Sequence, residues 1–311
     1  MKNELQKIAN TLVLYSYHIT GNGLHDGKMG IILFLYRYAD YSNCKYYSEI
    51  ADDMLDKVLR SIATTSPCFE NGLAGIGLVV NCLIRKGYVD GDSNEVLQDV
   101  DKKIFSDYKC NPHTSLLGKG IYLLERLKDN KTNVDYIQHI DECLDSCDKG
   151  LSIFQDAVSL YHINSVLIFL MRIKKYKHNK EKAVSIKKNL LVLLEKILNH
   201  KTNQTFDKAD LYIFERVLKE FELEKNKVWK KFLMNRTKPE NGFDIETLIK
   251  ISWQEELYFG NSSLEAIALG AISRFINLKQ ESLTKRDFIF SRGLAGFGNM
   301  LLFMNENANC K

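Results

Sequence analysis

The sequence predicts an all-α protein, an α/α toroid of about seven helix-hairpin repeats. The first observation is a glycine pattern, Gly72-Leu73-Ala74-Gly75, which returns at residues 293–296 and, more weakly, at Gly27 and Gly30. The second is its spacing, because recurrence every 33 to 51 residues suits two helices and their turns. The third is that no stretch of useful length alternates with period two, as a half-buried strand would. The small residues that start the seven repeats are Gly27, Gly72, Ser115, Ser159, Ala209, Gly260 and Gly293.

The first four predicted helices alternate between a buried and a half-buried type. Residues 4–18 form a helix that the glycines at 21–23 interrupt. The next helix, opening at 24–27, is apolar almost all round, which is typical of a helix inside a structure. An amphipathic helix over 44–64 follows, and then the apolar helix Leu73–Ile84. The three glycines in and just before this helix favour close approach of another backbone, since glycine otherwise weakens a helix.

Later in the chain, amphipathic stretches separate the repeat starts, as outer helices would. They lie at 91–109, 133–149, 179–199, 225–236 and 243–256. The last repeat is as apolar as the second, so it has to be covered. Packing it against the first repeat closes the toroid, and we therefore predict a single domain over residues 1–311.

Composition limits the classes of function. The chain is 45% apolar and 26% charged, with a formal net charge of +4, so charge gives no argument for a nucleic-acid partner. No apolar run reaches the length of a membrane span, and the N-terminal residues lack the apolar core of a signal peptide. Seven scattered cysteines indicate reduced thiols, and thus a cytoplasmic location.

The repeated Gly-Leu-Ala-Gly at 72–75 and 293–296 resembles that of the lanthionine synthetase C-like proteins, the cyclases of lanthipeptide maturation. The resemblance implies an α/α toroid and a partner that is a peptide substrate or a peptide-modifying enzyme. It also implies a zinc ion, held by a cysteine at the start of the fifth inner helix and a Cys-His pair at the start of the sixth. That zinc activates a substrate thiolate for attack on a dehydrated serine or threonine.

This sequence departs from that zinc site. The aligned pairs are Asp207-Lys208 and Tyr258-Phe259, and no cysteine occurs between Cys147 and Cys310. We therefore expect no zinc at the family's site and no cofactor.

Parallel inner helices would bring their N-termini, with unpaired N–H groups, to one mouth. The candidates for acid–base chemistry there are His25, Asp26, Glu70 and His113, and the candidates for ligand binding are Asn71, Thr114, Lys208, Tyr258 and Arg292. The simpler interpretation is that Asp26, Asn71, Thr114 and Ser291 cap their own helices.

Two other metal arrangements stay open, His139 with Cys143 and Cys147 on one helix, and Cys68 with His25 and His113. The function that the sequence favours is binding of a peptide or a partner enzyme in modified-peptide maturation, without zinc-dependent cyclisation. The alternatives are an enzyme with its own chemistry at the mouth, such as a glycoside hydrolase of α/α-toroid type, and a cyclase with other metal ligands.

Overall fold

The computed structural model describes residues 1–106, 112–129, 134–151, 160–173, 180–200, 206–220, 243–264, 269–282 and 284–309. Among these residues all regular structure is helical. The chain forms two compact units, residues 1–106 with 244–311 and residues 107–243. The prediction of a single domain stays a prediction.

The first unit holds both ends of the chain. Its α-helices are α1 (Lys2–Tyr15), α2 (Lys28–Ser42), α3 (Lys45–Leu59), α4 (Leu73–Arg85), α5 (Ser93–Val96), α6 (Gln98–Ser106), and, by the order of the whole chain, α12 (Ile245–Phe259), α13 (Leu269–Ser282) and α14 (Leu294–Asn309). Short 3-10 turns lie at Ser16–His18, Ile62–Thr64 and Lys285–Asp287.

The second unit contains five described helices. They are α7 (Pro112–Asp129), α8 (Val134–Leu151), α9 (Leu160–Ile173), α10 (Lys180–His200) and α11 (Lys208–Glu220). Helix α9 packs on both α7 and α11, while α8 and α10 pack on each other and on this row. The predicted stretch 225–236 lies outside the described residues.

Alternate helices also pack together in the first unit. Helix α12 packs on α14, α14 on α2, and α2 on α4, whereas α3 covers α2 and α1 lies against α14 and α13. We call α12, α14, α2 and α4 the inner helices of this unit. Helix α2 is buried from Met29 to Ala39, in contrast to the half-exposed α3, so the predicted alternation of buried and half-buried helices is confirmed here.

The last hairpin packs against the first, as closure of a toroid requires. In α2 the Arg37 guanidinium pairs with the carboxylate of Glu256 in α12 and donates to Asn299 Oδ1 of α14 at 3.3 Å. Asn299 in turn donates to the Gly30 carbonyl oxygen at 3.4 Å. Arg37 is only 4% exposed, and the Glu256 carboxylate outweighs its burial and raises the pKa of the guanidinium.

Three glycines let the inner helices touch the chain that leads into them. An added Cβ at Gly75 would collide with the Phe69 carbonyl oxygen, and one at Gly296 with that of Phe290. At Gly30 it would lie 2.7 Å from the Leu24 carbonyl oxygen. In each case the carbonyl belongs to the residue six positions earlier, so repeats one, two and seven share one backbone arrangement. The close approach expected of these glycines is confirmed.

The prediction that Gly260 starts the sixth repeat is wrong. Gly260 is the left-handed C-cap of α12, with φ 73°, and an added Cβ there would contact nothing within 4 Å. The inner helix of this repeat is α12, which begins after Asp244, whose carboxylate accepts from Thr247 N at 2.7 Å. The stretch 243–256, predicted as an outer helix, thus forms most of an inner one, because glycine serves equally in a helix stop and in a close contact.

A first prediction tests the glycine contact. Gly75→Ala should lower the free energy of unfolding by about 1–3 kcal/mol, because the new methyl group must displace backbone atoms. The matched control is Gly270→Ala in α13, where a Cβ meets open space and alanine should stabilise the helix by up to about 1 kcal/mol. Urea unfolding of both variants measures the difference, and an equal response would contradict the close contact.

A second prediction concerns the buried ion pair. Glu256→Ala should cost about 3–5 kcal/mol, because it leaves the Arg37 charge buried without its carboxylate. Glu246→Ala removes an exposed pair with Lys279, at 3.0 Å, and should cost at most about 1 kcal/mol. Thermal and urea unfolding compare the two, and a cost for Glu256→Ala no larger than the control would show that the pair does not hold the two hairpins together.

Candidate functional site

The candidate site lies where three equivalent segments lead into inner helices of the first unit. We call residues 21–27, 66–72 and 287–293 the entry turns; they precede α2, α4 and α14. Lys28 N donates to the Gly21 carbonyl oxygen at 2.9 Å, and Leu73 N donates to that of Ser66 at 2.8 Å. The first N–H groups of α2 and α4 are therefore satisfied by the turns themselves and are not among the unpaired donors expected at the mouth.

The backbone of His25 joins all three entry turns. Its N–H donates to the Glu70 carbonyl oxygen at 2.8 Å. Its carbonyl oxygen accepts from Phe290 N at 3.1 Å and from Ser291 N at 3.2 Å. One residue of the first turn thus bonds both the second and the last.

The neighbouring side chains form a second link. Asn71 Oδ1 accepts from Asp26 N at 2.9 Å, and Asn71 Nδ2 donates to Asp26 Oδ2 at 3.0 Å. Ser291 Oγ donates to the other oxygen, Asp26 Oδ1, at 3.1 Å. We call Asp26, Asn71 and Ser291 the polar bridge.

The polar bridge corrects the capping interpretation. The N-caps of α2 and α4 are Gly27 and Gly72, and neither helix has a side-chain cap hydrogen bond. Asp26 and Asn71 bond each other across repeats instead. A capping residue and a bridging residue look alike in sequence, because the partner in a bridge is remote in the chain.

The imidazole of His25 sits in an aromatic cluster. Its ring is edge-on to Trp253 at 5.3 Å and to Phe69 at 6.2 Å, and roughly parallel to Phe290 at 6.4 Å between centroids. Part of His25 is exposed, but its Nε2 is shielded from solvent and finds no hydrogen-bond partner in the described part of the chain. Burial lowers the pKa of the imidazole to about 4, although the Asp26 charge opposes the shift. Sequence reasoning missed Trp253, which lies in the stretch taken for an outer helix.

Glu70 and Arg292 differ from the bridging residues. Arg292 is exposed, and Glu70 is half-buried, so that burial raises the pKa of its carboxyl. Glu70 lies in the second entry turn and Arg292 in the last, next to the residues that join the turns. The charged side chains of Glu70 and Arg292 reach solvent close to Asp26 and could contact a ligand there.

The other predicted site residues belong to helices α7, α11 and α12 rather than to the entry turns. Tyr258 lies in the last turn of α12, buried at 2% exposure, rather than at a helix start. Lys208 is exposed at the start of α11 in the second unit. His113 and Thr114 belong to the first turn of α7, but their side chains lie outside the described residues.

The alternative metal arrangements gain no support from the geometry. No three His, Cys, Asp or Glu side chains within the described part of the chain lie close enough to hold a metal ion. Cys143 and Cys147 are buried in α8, and burial raises the pKa of Cys143 to about 12 and that of Cys147 further. Cys68 contacts Ser66 Oγ at 3.1 Å.

The positions that correspond to the family's zinc ligands also carry the wrong donor atoms for that zinc. At the start of α11, Asp207 accepts from Ala209 N at 2.9 Å, and Asp244 caps α12 in the same way. Neither helix start offers a thiolate or an imidazole, which are the ligands that the family's zinc requires. The residues present therefore do not fit that metal.

Comparison with known proteins supports the fold and the family. The family model of lanthionine synthetase C-like proteins matches residues 18–158, which include α2 to α8 and two of the entry turns. Over these residues the chain is similar to the lanthionine synthetase C-like proteins, the family that the glycine pattern resembles. Together with the helical packing, this match confirms the all-α fold class of α/α-toroid type. No curated protein matches the sequence.

Within the described residues, no helix combines the length and apolar character that crossing a bilayer requires.

A third prediction tests the polar bridge. Asp26→Ala should lower the free energy of unfolding by about 1–2 kcal/mol, because Asn71 and Ser291 lose their shared acceptor. Asp53→Ala, an exposed carboxylate of α3, should change it by less than about 0.5 kcal/mol. Combining Asp26→Ala with Asn71→Ala should cost less than the sum of the two single changes, and additivity would contradict the bridge.

Proposed function

We propose that this protein binds a peptide, or an enzyme that modifies one, in modified-peptide maturation of the lanthipeptide kind, and that it does not catalyse zinc-dependent cyclisation. One observation carries the proposal. The helix starts that hold zinc in the family carry aspartates that cap their own helices, and no cysteine lies between Cys147 and Cys310. Without a zinc-bound thiolate, the family's cyclisation loses its activated nucleophile.

The entry turns support binding rather than proton transfer. Asp26, Asn71 and Ser291 hold the turns together, and the His25 Nε2 is shielded from solvent. A general acid or base must come within hydrogen-bond reach of the proton it transfers, and His25 does not present that nitrogen. Exposed Arg292 and half-buried Glu70 remain as charged contacts for a peptide backbone or side chain. The role of His25, Asp26, Glu70 and His113 in catalysis stays a prediction.

The experiment uses a synthetic peptide that contains one dehydroalanine and one cysteine. Fluorescence anisotropy of the labelled peptide measures binding, and alkylation followed by mass spectrometry measures the free thiol, because cyclisation leaves the mass unchanged. The proposal expects saturable binding, with the thiol lost no faster in the presence of protein and Zn²⁺ than with Zn²⁺ alone. Thioether formation faster than this background would identify a cyclase, and absence of binding would overturn the peptide assignment.

A fourth prediction locates the binding surface. Glu70→Ala and Arg292→Ala should each weaken binding of that peptide about fivefold or more. Each change removes a charged contact, and neither side chain takes part in the hydrogen bonds that join the turns. Asp53→Ala is the control on α3, and circular dichroism checks that all variants fold. Wild-type affinity in both Glu70→Ala and Arg292→Ala would place the site elsewhere.

A further inference from the structure

His25 contacts the other two entry turns through both its backbone and its ring, a feature on which the proposed function does not depend. Its backbone is the point where the first entry turn bonds the other two, as described above, and its ring lies among aromatic side chains from both of those turns and from α12. The ring and the backbone of this one residue therefore contact the same two turns, so a displacement of the His25 backbone would disturb both sets of contacts.

The aromatic cluster favours the neutral form of the imidazole over the protonated form. Phe69, Trp253 and Phe290 surround it, and rings of this kind offer a buried N–H only weak contacts. Among the described residues Nε2 finds no hydrogen-bond partner, so a proton on Nε2 would be buried without an acceptor.

The charged groups on the surrounding elements do not compensate such a charge fully. Asp26 adjoins His25 but already accepts bonds from the other two members of the polar bridge. Glu70 follows Phe69, and burial raises the pKa of its carboxyl, which opposes the negative charge there. Arg292, beyond Phe290, is itself a cation, and on α12 Glu256 is paired with Arg37.

We propose that His25 is an acid-sensitive latch of the entry turns. Protonation of the imidazole expels the ring from the aromatic cluster and breaks the hydrogen bonds that His25 makes with Glu70, Phe290 and Ser291. The three turns then separate while helices α2, α4 and α14 persist.

The consequence for ligand binding rests on the proposed function: because Glu70 and Arg292 lie in these turns, lowering the pH would change the surface on which the proposed ligand is bound.

The direction of the pH dependence follows from linkage. In the closed state the pKa of His25 is about 4, and in an opened turn it returns to about 6.5. Between these values the open state binds more protons, so the closed state is fully stable above about pH 6.5 and loses stability down to about pH 4. From pH 7 to pH 5 the open fraction should rise roughly twentyfold.

Hydrogen exchange measured by mass spectrometry at pH 7 and pH 5, corrected for intrinsic exchange rates, tests the latch. In the wild type we expect opening of 21–27, 66–72 and 287–293 to increase about twentyfold, with little change in the helices. His25→Phe keeps an aromatic ring but cannot titrate, so its turns should stay protected at both pH values. His18→Gln, which removes an exposed histidine just before the first turn, should behave as the wild type.

Three results would overturn the latch. One is an equal acid response in wild type and His25→Phe. Another is opening of all helices together with the turns. The third needs no variant, so it decides the question even where His25→Phe fails to fold. It is an NMR titration of the His25 ring in the wild type that gives a pKa near 6.5.

Discussion

The first unit depends on the contact between each entry turn and a glycine of the helix that it leads into. At Gly30, Gly75 and Gly296 a carbonyl oxygen of the turn occupies the space of a side chain. This contact fixes the path of the turn over the first helical residues, and the turns are then close enough for His25 to bond the other two. A methyl group at any of these glycines would push the turn away, so the polar bridge and the aromatic cluster depend on the same contact.

The sequence predicted helix starts correctly where the same local glycine pattern occurs several times. The helix starts after Gly27, Gly72 and Gly293 were predicted because a glycine pattern recurs at the head of each apolar helix, and all three are found. At Gly260 the same reasoning failed, since glycine is used both where a helix ends and where another backbone approaches closely. The N-cap at Asp244 was the local signal that could have placed α12 correctly.

The candidate site was only partly predictable because its partners are remote in the chain. Asp26 and Asn71 were identified as polar residues of the helix starts, but their bond to each other joins two repeats and leaves no trace in local spacing. Trp253 could not be placed beside His25 until α12 was known to be an inner helix. The structure shows that the side chain of Asp26 and the backbone of His25 join the entry turns to one another.

The central claim is that the last repeat touches the first through glycine contacts, and a double-mutant cycle at Gly298 and Phe34 tests it most directly. A Cβ at Gly298 would lie 2.7 Å from Phe34 Cδ2, so Gly298→Ala should be destabilising alone and much less so when Phe34 is already leucine. From urea unfolding of the four proteins we expect a coupling free energy of at least about 1 kcal/mol. Additive effects of the two changes would show that these repeats do not meet as described.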